Sequence, residues 1–501
     1  MNIMELKKYQ KECTLMQELD SASYCSSLSF LLVVACRKLL GRDIALRHSI
    51  SDAYYWEFQD GGSISDEEVN RLSDYINDLI DKDIPFEKKM MSMSEARSIF
   101  EKQGQKELAD LLGLAWVDPI DVYFFKDTCG FFFSPLVKSS KHLNMFKLFR
   151  FTSGMCMQFP SHEGKELLPF YASPKLSSAF LDYAKWLNVL GVSYMNGLHR
   201  AINNEEGKHL ILVSEAFHAK RIAEIAEAIS ERGARIVSIS GPSSSGKTTF
   251  SERLKIQLYV CGKRPITLPM DNYFLDRGET PKGPDGEPSF EVPEALDLNL
   301  LKNNLSKMII GEEVQTPRFD FIAGKKYPGK KVKLDKDNVL IMEGIHGLND
   351  KILNQIPSEH LFTIFIAPMT GICLDPYNRT STSDNRLLRR IVRDNRTRGY
   401  RAENTLTIWP KVVSGAAQFV FPYRSKADRV FNSSLPYELA VIKNYIMPLL
   451  HSVPESSPVF SEVTRLQRML KFIPSMSADD VPNNSVLREF IGGTCYEEVE
   501  K

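Results

Sequence analysis

The chain contains 501 residues, and its 63 lysines and arginines balance its 63 aspartates and glutamates. A chain of this length exceeds a single hydrophobic core, so about two or three domains are expected. The balanced charge excludes a global positive field that would recruit nucleic acid or an anionic membrane, and any polyanion site must be local. With 43% hydrophobic and 25% charged residues, the composition is typical of a soluble globular protein.

Membrane insertion and export are not expected for this chain. The longest apolar run, residues 28–36 (LSFLLVVAC), is about half as long as a membrane span and predicts a buried helix. The N-terminal stretch lacks the small-residue cleavage site of a signal peptide. The eight cysteines include no CxxC pair, which favours free thiols. We therefore expect a cytoplasmic protein with no membrane partner, and its apolar stretches are compatible with a homo-oligomer.

The first part of the chain, residues 1–205, mixes two hydrophobic periodicities and is predicted to be an α+β domain. Apolar residues at helical spacing alternate with short runs of strand-forming residues. The predicted helices are residues 26–40, 66–81 and 93–112, and the predicted strands are residues 122–125 and 131–133.

Residues 206–233 are predicted to be a bridging helix into a second domain. In the stretch SEAFHAKRIAEIAEAISERG the apolar residues fall on one helical face, and Gly233 marks its end. Residues 234–450 then alternate apolar strands with other segments, which predicts an α/β domain with a mainly parallel sheet covered on both faces. Its predicted strands are residues 234–240, 263–270, 338–345 and 360–368. Residues 451–501 form a C-terminal extension to which the sequence assigns no chemistry.

The loop after the first of these strands, GPSSSGKTTF, fits the phosphate-loop pattern GxxxxGK[ST]. Its glycines let backbone N–H groups face a phosphate, and the following helix adds its positive N-terminal end. A Gly/Ser-rich connecting turn is the alternative, but the buried strand before the loop and the amphipathic stretch after it favour a nucleoside triphosphate site. The predicted nucleotide-binding residues are Gly241, Ser243, Ser244, Ser245, Gly246, Lys247, Thr248 and Thr249.

Two carboxylates follow predicted strands, Asp271 in MDNYF and Glu343 in NVLIMEGI. A carboxylate at the C-terminal edge of a parallel strand points into the ligand crevice. Asp271 can accept a proton from an attacking hydroxyl, as a kinase base does, or it can cap a helix. Glu343 can hold Mg²⁺ directly or through water, or it can be a solvated carboxylate.

The segment NRLLRRIVRDNRTRGYR concentrates arginines. Those that share one stripe at helical spacing are Arg386, Arg389, Arg390 and Arg393. Such crowding disfavours a helix unless an anion meets it, and phosphates would do so. The run continues through Arg398 into a Gly-containing loop, as expected of a lid over a transferring phosphoryl group. A basic face paired with Asp384 and Asp394, or an RNA-binding patch, are the alternatives.

In their order along the chain, these blocks resemble the uridine kinase and phosphoribulokinase family of P-loop kinases. GPSSSGKTTF, LPMDNYF, TPRFDF, VLIMEGI and RRIVRDNRTRG match that family's motifs over about residues 235–439. The resemblance implies phosphoryl transfer from ATP, with Mg²⁺, to a small-molecule acceptor. It also implies that Lys247, Arg393 and Arg398 hold phosphates and that Thr248 and Glu343 organise Mg²⁺.

The resemblance further implies the base and the acceptor site. Asp271 would be the general base, and Glu291 falls where the family places a ribose-binding aspartate. The implied substrate-binding residues are Asp271, Tyr273, Glu291, Phe319, Phe321 and Arg390. Gly324 stands where uridine and cytidine kinases carry the histidine that reads the pyrimidine, and Phe319 stands where they carry tyrosine. Because positioned hydrogen bonds discriminate between bases, these departures leave the acceptor open.

The N-terminal half resembles the editing domain of threonyl-tRNA synthetases and their alanyl relatives over about residues 21–160. The stretches HSISDAYYWEF, VYFFKDTCGFFFSPLV and KLFRFTSGM occur in that domain's order. The helix that carries HxxxH in those enzymes reads SYCSSLSFLL here, and Phe133 replaces the histidine four residues after Cys129. The editing chemistry is therefore expected to be lost, with Cys129 a buried apolar residue. We expect this half to be a scaffold for binding, regulation or dimerisation.

Different classes of function remain open at this point. The leading hypothesis is a kinase that uses ATP and Mg²⁺ to phosphorylate a hydroxyl of a uridine- or cytidine-like nucleoside or a related ribose-containing molecule. The alternative is an RNA- or tRNA-associated protein in which the editing-like half binds RNA and the P-loop half is an ATP-dependent switch. A third hypothesis is ATP binding without transfer. A GTPase is disfavoured because the sequence has no NKxD guanine-reading motif.

Overall fold

The structure, a computed structural model, describes residues 21–50, 52–115, 119–160, 166–170, 173–283, 286–320 and 323–496. One of the predicted substrate-binding residues, Phe321, lies outside the described residues. The described chain combines a mixed α+β N-terminal region with a C-terminal region built on a parallel sheet.

Two antiparallel sheets form the framework of the N-terminal region. Their strands are β1 (Ile44–Ile50), β2 (Ala53–Phe58), β3 (Glu87–Met91), β4 (Ile120–Phe125), β5 (Thr128–Gly130), β6 (Lys147–Phe151) and β7 (Gly154–Gln158). The order in one sheet is β1-β2-β7-β6 and in the other β3-β4-β5. Helices cover these sheets, and Phe30, Trp56 and Leu72 meet in a core from which water is excluded.

The helices of this region are Ser21–Leu40, Asp66–Asp81, Met93–Lys102 and Lys106–Leu114, with a 3-10 turn at Ser140–His142. The helix predicted over residues 66–81 is confirmed, and Ser65 explains where it begins. The Ser65 hydroxyl accepts from the Glu68 N–H while the Glu68 carboxylate accepts from the Ser65 N–H. The single helix predicted over residues 93–112 is wrong, because Gly104, at φ +76°, divides it into two.

The strand predicted over residues 131–133 is also wrong. β5 ends at Gly130, and the phenylalanines that follow pack through their side chains instead. Phe132 lies 5.1 Å from the ring of Phe30, and Phe131 lies 5.1 Å from the ring of Phe472. An apolar run indicates that its residues are buried, but it does not show that they pair as a strand. Here the phenylalanines are buried by side-chain contacts alone.

The helix Ser21–Leu40 has the length and hydropathy of a membrane span. However, 67% of its most apolar window is buried inside the fold, and the helix packs against Asp66–Asp81. Residues 28–36 are all buried, as predicted. We therefore interpret it as a core helix.

Three helices, Pro174–Val189, Met195–Asn203 and Gly207–Arg232, lead from the first region into the second. The last confirms the helix predicted before Gly233, which takes a left-handed conformation at φ +70°. Ile222 and Ile225 on this helix share a hydrophobic cluster with strand residues that follow it, so the helix covers one face of the next sheet.

The C-terminal region contains the predicted parallel sheet. Its strands are β8 (Ile236–Ser240), β9 (Arg264–Pro269), β12 (Asn338–Glu343), β13 (Leu361–Ala367) and β14 (Arg429–Asn432), with a separate antiparallel hairpin of β10 (Val314–Asp320) and β11 (Lys325–Val332). The parallel order is β14-β13-β8-β12-β9 in the described residues. Leu340 and Ile341 enter different hydrophobic clusters, so both faces of the sheet are covered. All four predicted strands are confirmed.

The remaining helices lie around this sheet. They are Lys247–Val260, Leu298–Ile309, Asp350–Leu353, Thr382–Arg398, Ala402–Phe419, Glu438–His451, Phe460–Lys471 and Arg488–Ile491, with 3-10 turns at Met270–Tyr273, Pro293–Ala295, Ser358–His360 and Phe421–Lys426. Because the central strands are parallel, Glu343 at the end of β12 lies beside Ile239 of β8 and Pro269 of β9. The segments that follow these three strands therefore meet at one edge.

The two regions are joined by hydrogen bonds that involve the segment 371–380. The Leu46 N–H donates to the Pro376 carbonyl at 2.7 Å, and the Asn378 side chain donates to the Phe131 carbonyl at 2.8 Å. This segment leads directly into Thr382–Arg398, which we call the arginine helix. The N-terminal region thus supports the start of the arginine helix.

Candidate active site

The loop after β8 has a backbone conformation that requires glycine at two positions. Gly246 has φ +84° and stands at the N-terminus of the following helix, and Ser244 is also left-handed at φ +62°. A Cβ on Gly241 would lie 2.2 Å from the Ile366 carbonyl oxygen, so only glycine fits there. The predicted phosphate loop is therefore a tight loop packed against the end of β13.

This loop offers hydrogen-bond donors to an anion. Within the part of the chain that the structure describes, the buried hydroxyls of Ser244 and Ser245 have no hydrogen-bond partner. The Lys247 ammonium lies over the loop, 3.0 Å from the Gly241 carbonyl oxygen. The first N–H groups of the next helix have no partner within that helix. These groups fit the phosphates of a nucleotide.

Thr248 and Glu343 come together although they are far apart in sequence. The Thr248 hydroxyl donates to the Glu343 carboxylate at 3.4 Å. Mg²⁺ prefers oxygen ligands and is commonly bound through one or two carboxylates together with phosphates. A hydroxyl and a carboxylate beside a phosphate loop therefore fit this ion.

A cavity of about 140 Å³ connects these groups. The predicted site residues that line it are Ser243, Ser244, Ser245, Gly246, Lys247, Thr248, Asp271, Glu291, Glu343, Arg390, Arg393 and Arg398. Asp271 lies in the 3-10 turn after β9 and lines the same cavity as the phosphate loop. The structure thus brings the predicted base, metal ligands and arginines to one place.

Two predicted acceptor residues lie outside this lining. Tyr273 is inaccessible, its hydroxyl accepts from the Asn304 side chain at 3.0 Å, and burial raises its pKa to about 12. Phe319 is buried with its ring 5.7 Å from that of Phe274. Phe274 and Phe290, which the sequence did not single out, form the aromatic wall of the cavity instead.

Glu291 supplies a buried carboxyl group to the cavity. Burial raises its pKa, while Arg390 and Arg386 oppose that shift. Gly415 of the helix Ala402–Phe419 packs against it, since a Cβ on Gly415 would lie 2.4 Å from the Glu291 Cβ. The Glu291 side chain can take this position because Gly415 has no side chain that would collide with it.

The arginine helix is confirmed, but its arginines do different things. Arg389 is inaccessible and pairs with Glu438 at 2.5 Å. The Arg386 guanidinium donates to the Ser243 carbonyl at 2.9 Å, and that of Arg390 donates to the Ser243 hydroxyl at 2.8 Å. The interpretation as a solvated basic face is therefore wrong. The first half of the helix holds the phosphate loop, and the second half faces the cavity.

Asp394 lies inside the cluster of arginines that faces the cavity. It is inaccessible, and its carboxylate lies 2.8 Å from Arg393 Nη2, 3.2 Å from Arg390 Nε and 3.4 Å from Arg398 Nη1. Burial alone would raise the pKa of Asp394, but these arginines outweigh it and lower the pKa. Burial and the neighbouring Arg393 lower the pKa of Arg398 to about 10. Three guanidinium groups therefore share one carboxylate, while Glu291 and Asp271 add negative charge near Arg390 and Arg398.

Another carboxylate at the site comes from the C-terminal extension. Glu489 lines the cavity and accepts from the backbone N–H of Thr249 at 3.1 Å and from its hydroxyl at 2.9 Å. Sequence reasoning missed Glu489 because no motif surrounds it. Asp394 was noticed only as a surface ion-pair partner, and Phe274 could have been found because it ends the LPMDNYF block.

A phosphate loop on a parallel sheet, with a hydroxyl–carboxylate pair and an arginine cluster at its mouth, defines a P-loop protein equipped for phosphoryl transfer. Residues 236–439 match the family model described as Phosphoribulokinase / Uridine kinase family. This part of the chain is a P-loop small-molecule kinase domain, and it is similar to that family, whose kinases use ATP with Mg²⁺.

Curated relatives agree with this assignment. The chain is 24% identical over 193 residues to a uridine kinase of Halobacterium salinarum, covering 38% of this chain and 77% of the relative. It is 28% identical over 196 residues to a uridine kinase of Cronobacter sakazakii, covering 38% of this chain and 84% of the relative. The family match leaves residues 1–235 and 440–501 outside it.

Solved structures with some similarity include a putative fructose transport system kinase from Silicibacter sp. TM1040, at 19% identity and a TM-score of 0.29. That alignment covers 42% of this chain and 98% of the other. Another is the phosphoribulokinase from Rhodobacter spheroides, at 16% identity and a TM-score of 0.28, covering 52% of this chain and 99% of the other.

Proposed function

We propose that this protein transfers the γ-phosphoryl group of ATP to a hydroxyl of a nucleoside or a related ribose-containing small molecule. The observation that carries the proposal is the convergence of Lys247, Asp271, the Thr248–Glu343 pair and an arginine cluster on one cavity. The nucleoside acceptor is inferred from relatives named uridine kinase.

Asp271 would accept the proton of the acceptor hydroxyl as that oxygen attacks phosphorus. It is a carboxylate in the turn after a parallel strand, and it lines the same cavity as the phosphate loop. A correctly placed base contributes about 10²–10⁴-fold to such a step. Arg398 lies close enough to Asp271 to interact with it electrostatically.

Lys247 and the arginines would hold the phosphates and offset charge that develops on the transferring group. Arg393 and Arg398 share Asp394, which fixes their guanidinium groups before any ligand arrives. Groups held in advance need no reorganisation during the reaction, and this is the main source of their catalytic effect. Thr248 and Glu343 would hold Mg²⁺, and the bound ion would neutralise part of the negative charge of the phosphates.

The acceptor would lie between the aromatic wall and Glu291. Phe274 and Phe290 meet edge to face with centroids 5.5 Å apart, and a flat ring or a sugar face can pack on such a surface. Glu291 and Arg390 would bind acceptor hydroxyls. At Gly324 a Cβ would lie 2.9 Å from Arg277 Nε, so Arg277 fills the space next to the position of the missing base-reading histidine.

No editing or RNA-directed activity is proposed for the N-terminal half. Cys129 is inaccessible and burial raises the pKa of its thiol to about 11, which leaves it a poor nucleophile. Its likeness to an editing domain stays a prediction, as do a homo-oligomeric state and a cytoplasmic location. We propose that this half supports the arginine helix through the segment 371–380.

The test is Mg·ATP turnover by the full chain against uridine, cytidine, purine nucleosides and free sugars. We expect turnover with one class of acceptor, lost in Asp271→Asn and kept in Asp337→Asn, an exposed carboxylate in the same domain. Transfer to a free sugar in preference to every nucleoside would refute the nucleoside acceptor. Turnover that survives in Asp271→Asn would refute the assigned base.

A further inference from the structure

The C-terminal extension places an acidic side chain where a nucleotide phosphate would bind. Thr249 is in the first turn of the helix after the phosphate loop, so its N–H has no partner within the helix. The Glu489 carboxylate fills this vacancy, at 3.1 Å from the Thr249 nitrogen and 2.9 Å from its hydroxyl. A phosphate oxygen at this helix end would use the same two donors.

The rest of the extension is fixed against the site. Val486 contacts the phosphate loop so closely that a Cβ on Gly246 would lie 2.6 Å from its methyl group. Arg396 of the arginine helix donates to the carbonyls of Glu489 at 3.2 Å and Phe490 at 3.3 Å. Val486 and Phe490 are inaccessible. The backbone of the extension is therefore anchored, and the Glu489 side chain is the part that can leave by rotation.

The size of the cavity agrees with this reading. At about 140 Å³ it is smaller than the roughly 300–1,000 Å³ typical of ligand sites. The Glu489 carboxylate also adds negative charge to the cavity that Lys247 lines, and bound phosphates would add more. A nucleotide must therefore displace an anion to bind.

We infer that Glu489 is a built-in competitor for the nucleotide, an acidic side chain of the chain's own extension that occupies the phosphate site and is expelled when a nucleoside di- or triphosphate binds. This inference rests on the proposed function, since it takes the phosphate loop to be the nucleotide site. The extension then sets the affinity of the kinase domain for its nucleotide: the observed dissociation constant equals the intrinsic one divided by the fraction of molecules in which Glu489 has left the phosphate site.

The experiment is equilibrium binding of Mg·ADP to the full-length chain and to Glu489→Gln. The amide keeps the size and an acceptor oxygen but loses the charge, and charge-assisted hydrogen bonds are about twice as strong as neutral ones. We expect Glu489→Gln to bind Mg·ADP about tenfold more tightly, and Glu489→Ala, which removes the acceptor, to gain at least as much. Glu455→Gln, an exposed carboxylate far along the same extension, is the matched control and should leave the affinity unchanged.

The outcomes separate this inference from the proposed function. Equal affinity in the unmodified protein and both Glu489 variants would overturn the inference and leave the kinase assignment standing. Weaker binding in Glu489→Gln would also overturn it, because Glu489 would then assist the nucleotide. No binding of Mg·ADP to any of these proteins would overturn both. If Glu455→Gln gained as much affinity for Mg·ADP as the Glu489 variants, the gain would be a general charge effect, and this result would also overturn the inference.

Discussion

Replacing Asp394 by asparagine should destabilise the fold, because Asp394 is the shared anion of the arginine cluster. Its carboxylate is inaccessible and lies within 3.4 Å of guanidinium nitrogens from Arg390, Arg393 and Arg398. Asparagine has nearly the same shape but no charge, so the substitution leaves three crowded guanidinium groups without the carboxylate that they share.

The size of the effect follows from burial. Removing one partner of a fully buried ion pair costs about 3–5 kcal/mol. The arginine side chains here are 11–26% exposed, so water screens part of the repulsion and we expect a loss of about 2–3 kcal/mol in the free energy of unfolding. Because the folded pKa of Asp394 is lowered, its contribution is full above the unfolded pKa of about 3.9 and disappears as the pH falls through the folded pKa.

Urea denaturation at pH 7 measures this loss. Asp182→Asn, which breaks an exposed 3.8 Å ion pair with Arg221, is the control and should cost less than about 1 kcal/mol. The difference between Asp394→Asn and the unmodified protein should shrink at acid pH, as Asp394 becomes protonated. A variant as stable as the control at pH 7, or a difference that grows as the pH falls, would refute the reasoning.

Three further changes test the site. Thr248→Ala should remove most of the dependence of ADP binding on Mg²⁺, measured as the ratio of dissociation constants with and without the ion; an unchanged ratio would contradict the assigned ligand. Gly415→Ala should raise the KM of the acceptor without changing ADP affinity, because its Cβ would press on Glu291 at 2.4 Å, and an unaltered KM would count against Glu291 as an acceptor ligand. Glu438→Ala should cost about 3–5 kcal/mol in urea denaturation by stranding the inaccessible Arg389, and a loss below about 1 kcal/mol would show that the pair is not structural.

The parts of the fold that could be predicted depend on local sequence. The phosphate loop, the parallel strands and the helix 66–81 each carry their signal within a few residues, as the Ser65–Glu68 capping pair illustrates. Residues 131–133 were wrongly predicted as a strand because apolar character reports burial but not backbone pairing. Gly104 could have divided the helix 93–112, since glycine favours the left-handed conformation that ends a helix.

The site residues that could be predicted are those that lie in short sequence motifs. The motif blocks located the cavity residues Lys247, Asp271 and Glu343. Family position also suggested Tyr273, but the backbone turns its hydroxyl towards Asn304 in the core. Glu489 and Thr249 are separated by 240 residues, and no periodicity or motif connects them. Contacts of this kind depend on the path of the chain in three dimensions.

The most direct test of the central claim is to separate nucleotide binding from phosphoryl transfer in Asp271→Asn. With the best acceptor of the panel, we predict that this variant binds Mg·ADP within about twofold of the unmodified protein and that its kcat falls by about 10²–10⁴-fold. Transfer at the original rate, or an unmodified protein that binds Mg·ADP but phosphorylates no acceptor, would contradict the account.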